Sequence, residues 1–243
     1  GTLISTFVRY TPERYGYFPD GIEPKLDHEV DSDAYKISGS KEIRADVPAD
    51  LEFGTMEALK TQAFWVISIG HAQALLVVSS TGLHQVPYFE HGLEFSRASA
   101  AQIVMVLTAV NMLGQMLGGF LADRFPKNTV AAGTIVGHSV AMLVLAVANS
   151  YIWVLVYAVI QGLSWGVRSP VLTSMRGEYF GRKSFPAILG TSQGVAMSGM
   201  VIGPLLVGYM ADSFSYSAGF IATAILTIPG AVLFLMIRKP SKI

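Results

Sequence analysis

Six apolar windows follow residue 60, each long enough to cross about 30 Å of hydrocarbon as a helix rising about 1.5 Å per residue. They predict helices over 62–83, 98–121, 129–148, 152–175, 185–210 and 215–237. The gaps carry breakers and charges: Pro87, Glu90 and Arg97; Asp123, Arg124, Pro126 and Lys127; Asn149 and Ser150; Arg182 and Lys183; Asp212 and Ser213. Residues 61–243 therefore read as an all-α membrane protein, a bundle of six transmembrane helices. Ahead of them, residues 9–60 combine dense charge with scattered Pro and Gly and hold no sustained period, so they read as a solvated linker. Its last stretch, Thr55 to Lys60, is expected to form a helical turn at the interface. Residues 1–8 are apolar and end at Arg9, with neither a basic leader nor a cleavage site. They read as the end of a preceding transmembrane helix, and the chain as a fragment.

Charge sets the expected orientation. Residues 1–60 hold 12 acidic and 7 basic side chains, whereas residues 61–243 hold 5 and 10. An even number of spans puts both ends on one side, and basic loops stay in the cytoplasm. Lys60, Arg124, Lys127, Arg176, Arg182, Lys183, Arg238, Lys239 and Lys242 fall on one face, while the other has only Arg97. Residues 9–60 and the C-terminus are thus expected in the cytoplasm, and the protein in the plasma or inner membrane as a multi-pass component with the lipid bilayer as its partner.

Composition removes several function classes. With 51% of residues hydrophobic and 14% charged, the chain is too apolar for an ordinary water-soluble domain, and it lacks the strongly basic domain of a nucleic-acid binder. It has no cysteine, so disulfide scaffolds, cysteine-based metal sites and thiol catalysis fall away. His28-Glu29 lacks the second histidine of HExxH, and neither a GxSxG elbow nor a P-loop occurs. An enzyme is not expected, and neither a cofactor nor a catalytic residue is assigned.

Glycines four apart let membrane helices approach closely. The pairs are Gly114/Gly118, Gly133/Gly137, Gly162/Gly166, Gly190/Gly194 and Gly199/Gly203, and they predict tight glycine-faced contacts. Polar residues inside the spans are the candidates for chemistry. In the fourth span Tyr157, Gln161, Ser164, Trp165 and Arg168 share one helix face, which cannot meet lipid. A charge at depth costs at least about 2.5–3.5 kcal/mol and by default marks a cavity or a ligand. Arg168 is that charge, read either as a ligand contact or as a residue snorkelling to the cytoplasmic end. Thr108, Asn111 and Gln115 form a milder polar face in the second span, suited to helix contacts or to ligand. His71, one turn after Ser68, reads either as an interior hydrogen-bonded residue or as a proton carrier. His138 has a weaker claim of the same kind.

Particular residues then suggest a family. The loop Gly119-Phe120-Leu121-Ala122-Asp123-Arg124-Phe125-Pro126-Lys127 resembles the GxxxD(R/K)xGR signature of major facilitator superfamily transporters, with Pro126 in place of Gly and Lys127 in place of Arg. Gly199, Gly203-Pro204 and Gly208 look like the glycine-proline helix that faces the partner half. The stretches Arg176 to Phe185 and Gly82 to Tyr88 are similar to the monocarboxylate and oxalate/formate branch, and Thr11 to Gly16 with Pro19-Asp20-Gly21 looks like its central loop.

The resemblance implies that the six spans are the second half of a twelve-helix carrier, preceded by a cytoplasmic linker, with the N-terminal six-helix half missing. It implies secondary active transport of a small-molecule substrate by alternating access, most readily an organic anion such as a monocarboxylate, coupled to a proton or a counter-anion. Arg168 would bind the carboxylate while Gln161, Tyr157 and Asn111 orient the rest, with His71 beside them. Gly119, Asp123, Arg124 and Glu178 would form the gate: Asp123 capping a helix of the absent half, Arg124 pairing with Glu178. A carrier of neutral or cationic solutes, and a receptor or scaffold that transports nothing, are the competing readings.

Overall fold

The computed structural model of the chain describes residues 52–181 and 184–240. The expectations for residues 1–8, for the linker up to residue 51, and for Arg182, Lys183 and Lys242 fall outside the described residues. A one-turn helix, α1 (Thr55–Leu59), leads into six long ones: α2 (Gln62–Pro87), α3 (Arg97–Arg124), α4 (Lys127–Ala146), α5 (Tyr151–Phe180), α6 (Phe185–Ser213) and α7 (Tyr216–Met236). All six are long and apolar enough to cross a membrane.

Local chemistry sets their ends. Thr61, Ser96 and Ser215 cap α2, α3 and α7 by accepting the N–H of Phe64, Ser99 and Ala218, which satisfies donors that the first helical turn leaves free. Gly181, at φ 76°, stops α5 in a conformation that side chains disfavour. The stop lies five residues past the predicted end at 175, so the Arg176-Gly177-Glu178 segment is helix rather than loop. This corrects the sequence reading of Arg176 as a loop charge: it is 2% exposed.

Packing follows the small residues. α3 lies along α5, α2 along α6, and α4 against both α5 and α7. At the α3–α5 contact, a Cβ on Gly162 would stand 2.6 Å from the Leu107 carbonyl, and one on Gly118 would stand 2.6 Å from that of Val167. Two of the predicted glycine pairs therefore meet each other. Gly199 and Gly203 pack directly on the backbone of α2 at Ala72 and Leu76. Gly190, Gly194 and Gly133 have open space where a Cβ would be, so for those positions the expected tight contact is absent within the described residues.

The result is uneven burial. Within their most apolar stretches α2 is 67% buried, whereas α3 is 28% and α6 is 22% buried. These two helices present long free faces: Met105, Met112 and Met116 on α3, Met197, Val201 and Leu205 on α6. At one end of the bundle Lys127, at the start of α4, pairs with Glu178, near the end of α5, at 2.7 Å.

Candidate functional site

α5 is 30 residues long, about 45 Å at about 1.5 Å per residue, and Arg168 lies about 4 Å from its midpoint. From there the side chain cannot snorkel to a helix end. It is 3% exposed, and its Nε and Nη1 are buried with no hydrogen-bond partner. Among the described residues no carboxylate pairs with it; the ion pairs are Lys127 with Glu178 and Arg97 with Glu90. A buried, unsatisfied cation is costly unless something completes it.

Beside that guanidinium lies a cavity of about 270 Å³ between α2, α5 and α6. Its polar wall is His71 from α2, Arg168, Ser169, Thr173 and Arg176 from α5, and Gln193 from α6; Leu75, Leu172 and Leu189 supply the apolar part. The donors converge without any acidic side chain, which suits a small anion with an apolar body.

Arg176 differs from Arg168 in being fully engaged. Its Nε donates to Ser192 Oγ at 3.0 Å, its Nη1 to the Leu172 carbonyl at 3.3 Å, and its Nη2 to His71 Nδ1 at 3.0 Å. Ser68 donates to the same Ser192 Oγ at 2.9 Å. One network thus ties α2, α5 and α6 together beneath the cavity. The pairing of Ser68 and His71 one turn apart was legible in the sequence; Arg176, their partner, was not.

Of the residues singled out from the sequence, Arg168 and His71 are brought together in the cavity wall. Tyr157 and Gln161 are buried elsewhere. The Tyr157 hydroxyl donates to Gln85 Oε1 at 2.9 Å, and Gln161 Oε1 lies 2.9 Å from His138 Nδ1, so these two join α5 to α2 and α4. Asn111, on α3, accepts from Gln115 at 2.9 Å and keeps a buried, unpartnered Nδ2. None of the three lines the cavity. Of the residues expected to form a gate, Glu178 takes Lys127 rather than Arg124, because the start of α4 brings the lysine alongside the end of α5. Arg124 instead sits over the Phe120 ring, 4.7 Å from its centre. Asp123 is exposed, and Gly119 has open space around it.

Comparison with known proteins agrees with this architecture. The chain is similar to the uncharacterized transporter YclF of Bacillus subtilis, 28% identical over 61% of this chain and 31% of that protein. It is similar to the benzoate transport protein of Acinetobacter baylyi, 22% identical over 92% of this chain and 45% of that protein. The cis,cis-muconate transport protein of the same organism is 26% identical over 75% of this chain and 48% of its own length. The chain thus spans less than half the length of each of these relatives. A sequence model of the Major Facilitator Superfamily matches residues 65–243, all six long helices but for the first turn of α2, and the chain belongs to that superfamily.

Proposed function

We propose that this chain is one half of a secondary active transporter that carries small organic anions, monocarboxylates above all, by alternating access. The observation that carries the reading is Arg168: mid-helix, buried, without an acidic partner, and on the wall of a cavity. A carboxylate there would supply the missing counter-charge through charge-assisted hydrogen bonds. Two relatives named for benzoate and cis,cis-muconate transport support the cargo class. That the chain spans less than half of its relatives supports its being one of two halves.

The free faces of α3 and α6 are where the second six-helix half would dock, closing the cavity on its open side. The two halves would then rock about the cargo near the middle of the membrane. The basic residues at the α3–α4 turn and beyond α7 support an orientation with those ends in the cytoplasm of a plasma or inner membrane. There Asp123 would cap a helix of the other half in one state and release it in the other, while Lys127 and Glu178 hold α4 to α5. In the state described, Tyr157, Gln161 and Asn111 position α5 and α3 rather than touch cargo.

The test is uptake of labelled benzoate by the full-length carrier in proteoliposomes, with cis,cis-muconate, a neutral sugar and an amine for comparison. Saturable benzoate uptake is expected, and Arg168→Gln should lower it about 100-fold, the scale of losing one partner of a buried charge pair, with membrane abundance unchanged. Undiminished uptake in that variant would remove Arg168 from the site.

A further inference from the structure

The contact between Arg176 and His71 assigns the histidine a definite chemical state. A guanidinium has only donors, so at the 3.0 Å contact His71 Nδ1 must be the acceptor. A neutral imidazole that accepts at Nδ1 carries its proton at Nε2, and the ring cannot take a second proton without losing this bond. The ring's hydrogen bond among the described residues is the one at Nδ1, and His71 borders the cavity that Arg168 lines. The charged groups facing the ring are Arg168 and Arg176, both from α5. α6 brings Ser192 and Gln193, and α7 brings Phe234 alongside neighbouring Gly70; none of these is acidic.

Resting on the anion-carrier reading above, we infer that His71 is the second anchor of the bound anion, a neutral N–H donor on α2 facing the Arg168 cation on α5, and not a carrier of the coupling proton. Arg176 is the positioning residue that makes it so. Each of its three nitrogens already donates to the protein, and Ser192, steadied by Ser68, keeps its guanidinium in place. Two donors on different helices fix the direction of a carboxylate as well as its charge. The site then takes the ionised form of the acid, and its apolar body lies toward Leu75, Leu172 and Leu189.

Nitrogen-15 NMR of the full-length carrier in lipid nanodiscs reads the ring directly, with the His71 signals identified by their loss in His71→Gln. Between about pH 5 and 8 the expected spectrum has a bare Nδ1 and a protonated Nε2, and benzoate should shift the Nε2–H signal. A proton on Nδ1, or a ring that gains a second proton across that range, overturns the inference. In proteoliposomes, His71→Leu should raise the KM for benzoate roughly 10-fold, the scale of one hydrogen bond to a charged group, with little change in kcat. His71→Gln, whose amide offers an N–H in a similar place, should recover most of that; an unchanged KM in His71→Leu also overturns it. Arg176→Met should release the neutral ring to exchange its proton between Nδ1 and Nε2, and a ring that keeps a bare Nδ1 in that variant would show that Arg176 does not hold it. The tautomer is read with no cargo present. A wrong cargo class would therefore leave the resting spectrum as expected and abolish only the benzoate response, whereas a wrong role for His71 would change the spectrum or leave the KM untouched.

Discussion

Two arginines on α5, about two turns apart, are buried almost equally, at 3% and 2% exposure, yet their surroundings are opposite. Around Arg176 the helices supply an acceptor for each nitrogen, from α2, α6 and α5 itself. Around Arg168 they supply none for Nε or Nη1, and a cavity begins there. Burial alone does not separate a structural cation from a binding one. The difference lies in whether the protein itself completes the charge, as it does for Arg176 and not for Arg168.

Thermal unfolding of the purified carrier, followed by tryptophan fluorescence, should turn this contrast into opposite signs. The largest effect is expected from Arg176→Met. It deletes three hydrogen bonds to a charged group, each contributing about 1.5–3 kcal/mol, against a burial cost of about 2.5–3.5 kcal/mol. The net loss, about 2 kcal/mol or more, should lower the Tm by roughly 5 °C. Arg168→Met removes a comparable burial cost with no bonds to lose, so the Tm should rise by a few degrees while anion uptake disappears. A fall in Tm for Arg168→Met would mean that the protein satisfies this residue after all, and the comparison would fail. The smallest change is expected from Ser192→Ala, which takes one acceptor from Arg176 and one partner from Ser68, costing about 1 kcal/mol. In a double-mutant cycle with Arg176→Met the share of that cost due to the arginine should vanish and the share due to Ser68 remain; full additivity would place the serine outside the network.

The six helices were legible because a bilayer demands long apolar windows and few sequences meet that demand by chance. Arg168 was legible for the same reason, standing inside one of those windows. Arg176 was not, because Arg176-Gly177-Glu178 has the composition of a loop and charge density stood in for geometry. Gly181, a residue suited to ending a helix, was the available signal that α5 runs on. The polar stripe teaches a related lesson. Helical periodicity puts Tyr157, Gln161 and Arg168 on one face, but the sequence does not say what that face meets along its length. Its upper part meets Gln85 and His138, and only its lower part meets the cavity. Likewise, glycine spacing marked faces of α3, α5 and α6 that do pack closely, though not on which helix, whereas Gly190 and Gly194 obey the same spacing with no neighbour close by.

The carboxylates of the long helices, Asp123, Glu178 and Asp212, all sit in a final helical turn, and none lines the cavity. This wall therefore brings two guanidinium groups and no carboxylate to the cavity. As far as these residues set it, a loaded and an empty carrier of the proposed kind would differ by the full charge of the anion. Each such charge is worth about 2.3 kcal/mol for every 100 mV across the bilayer. On the proposed anion-carrier reading, membrane voltage would act at this wall through the charge of the cargo.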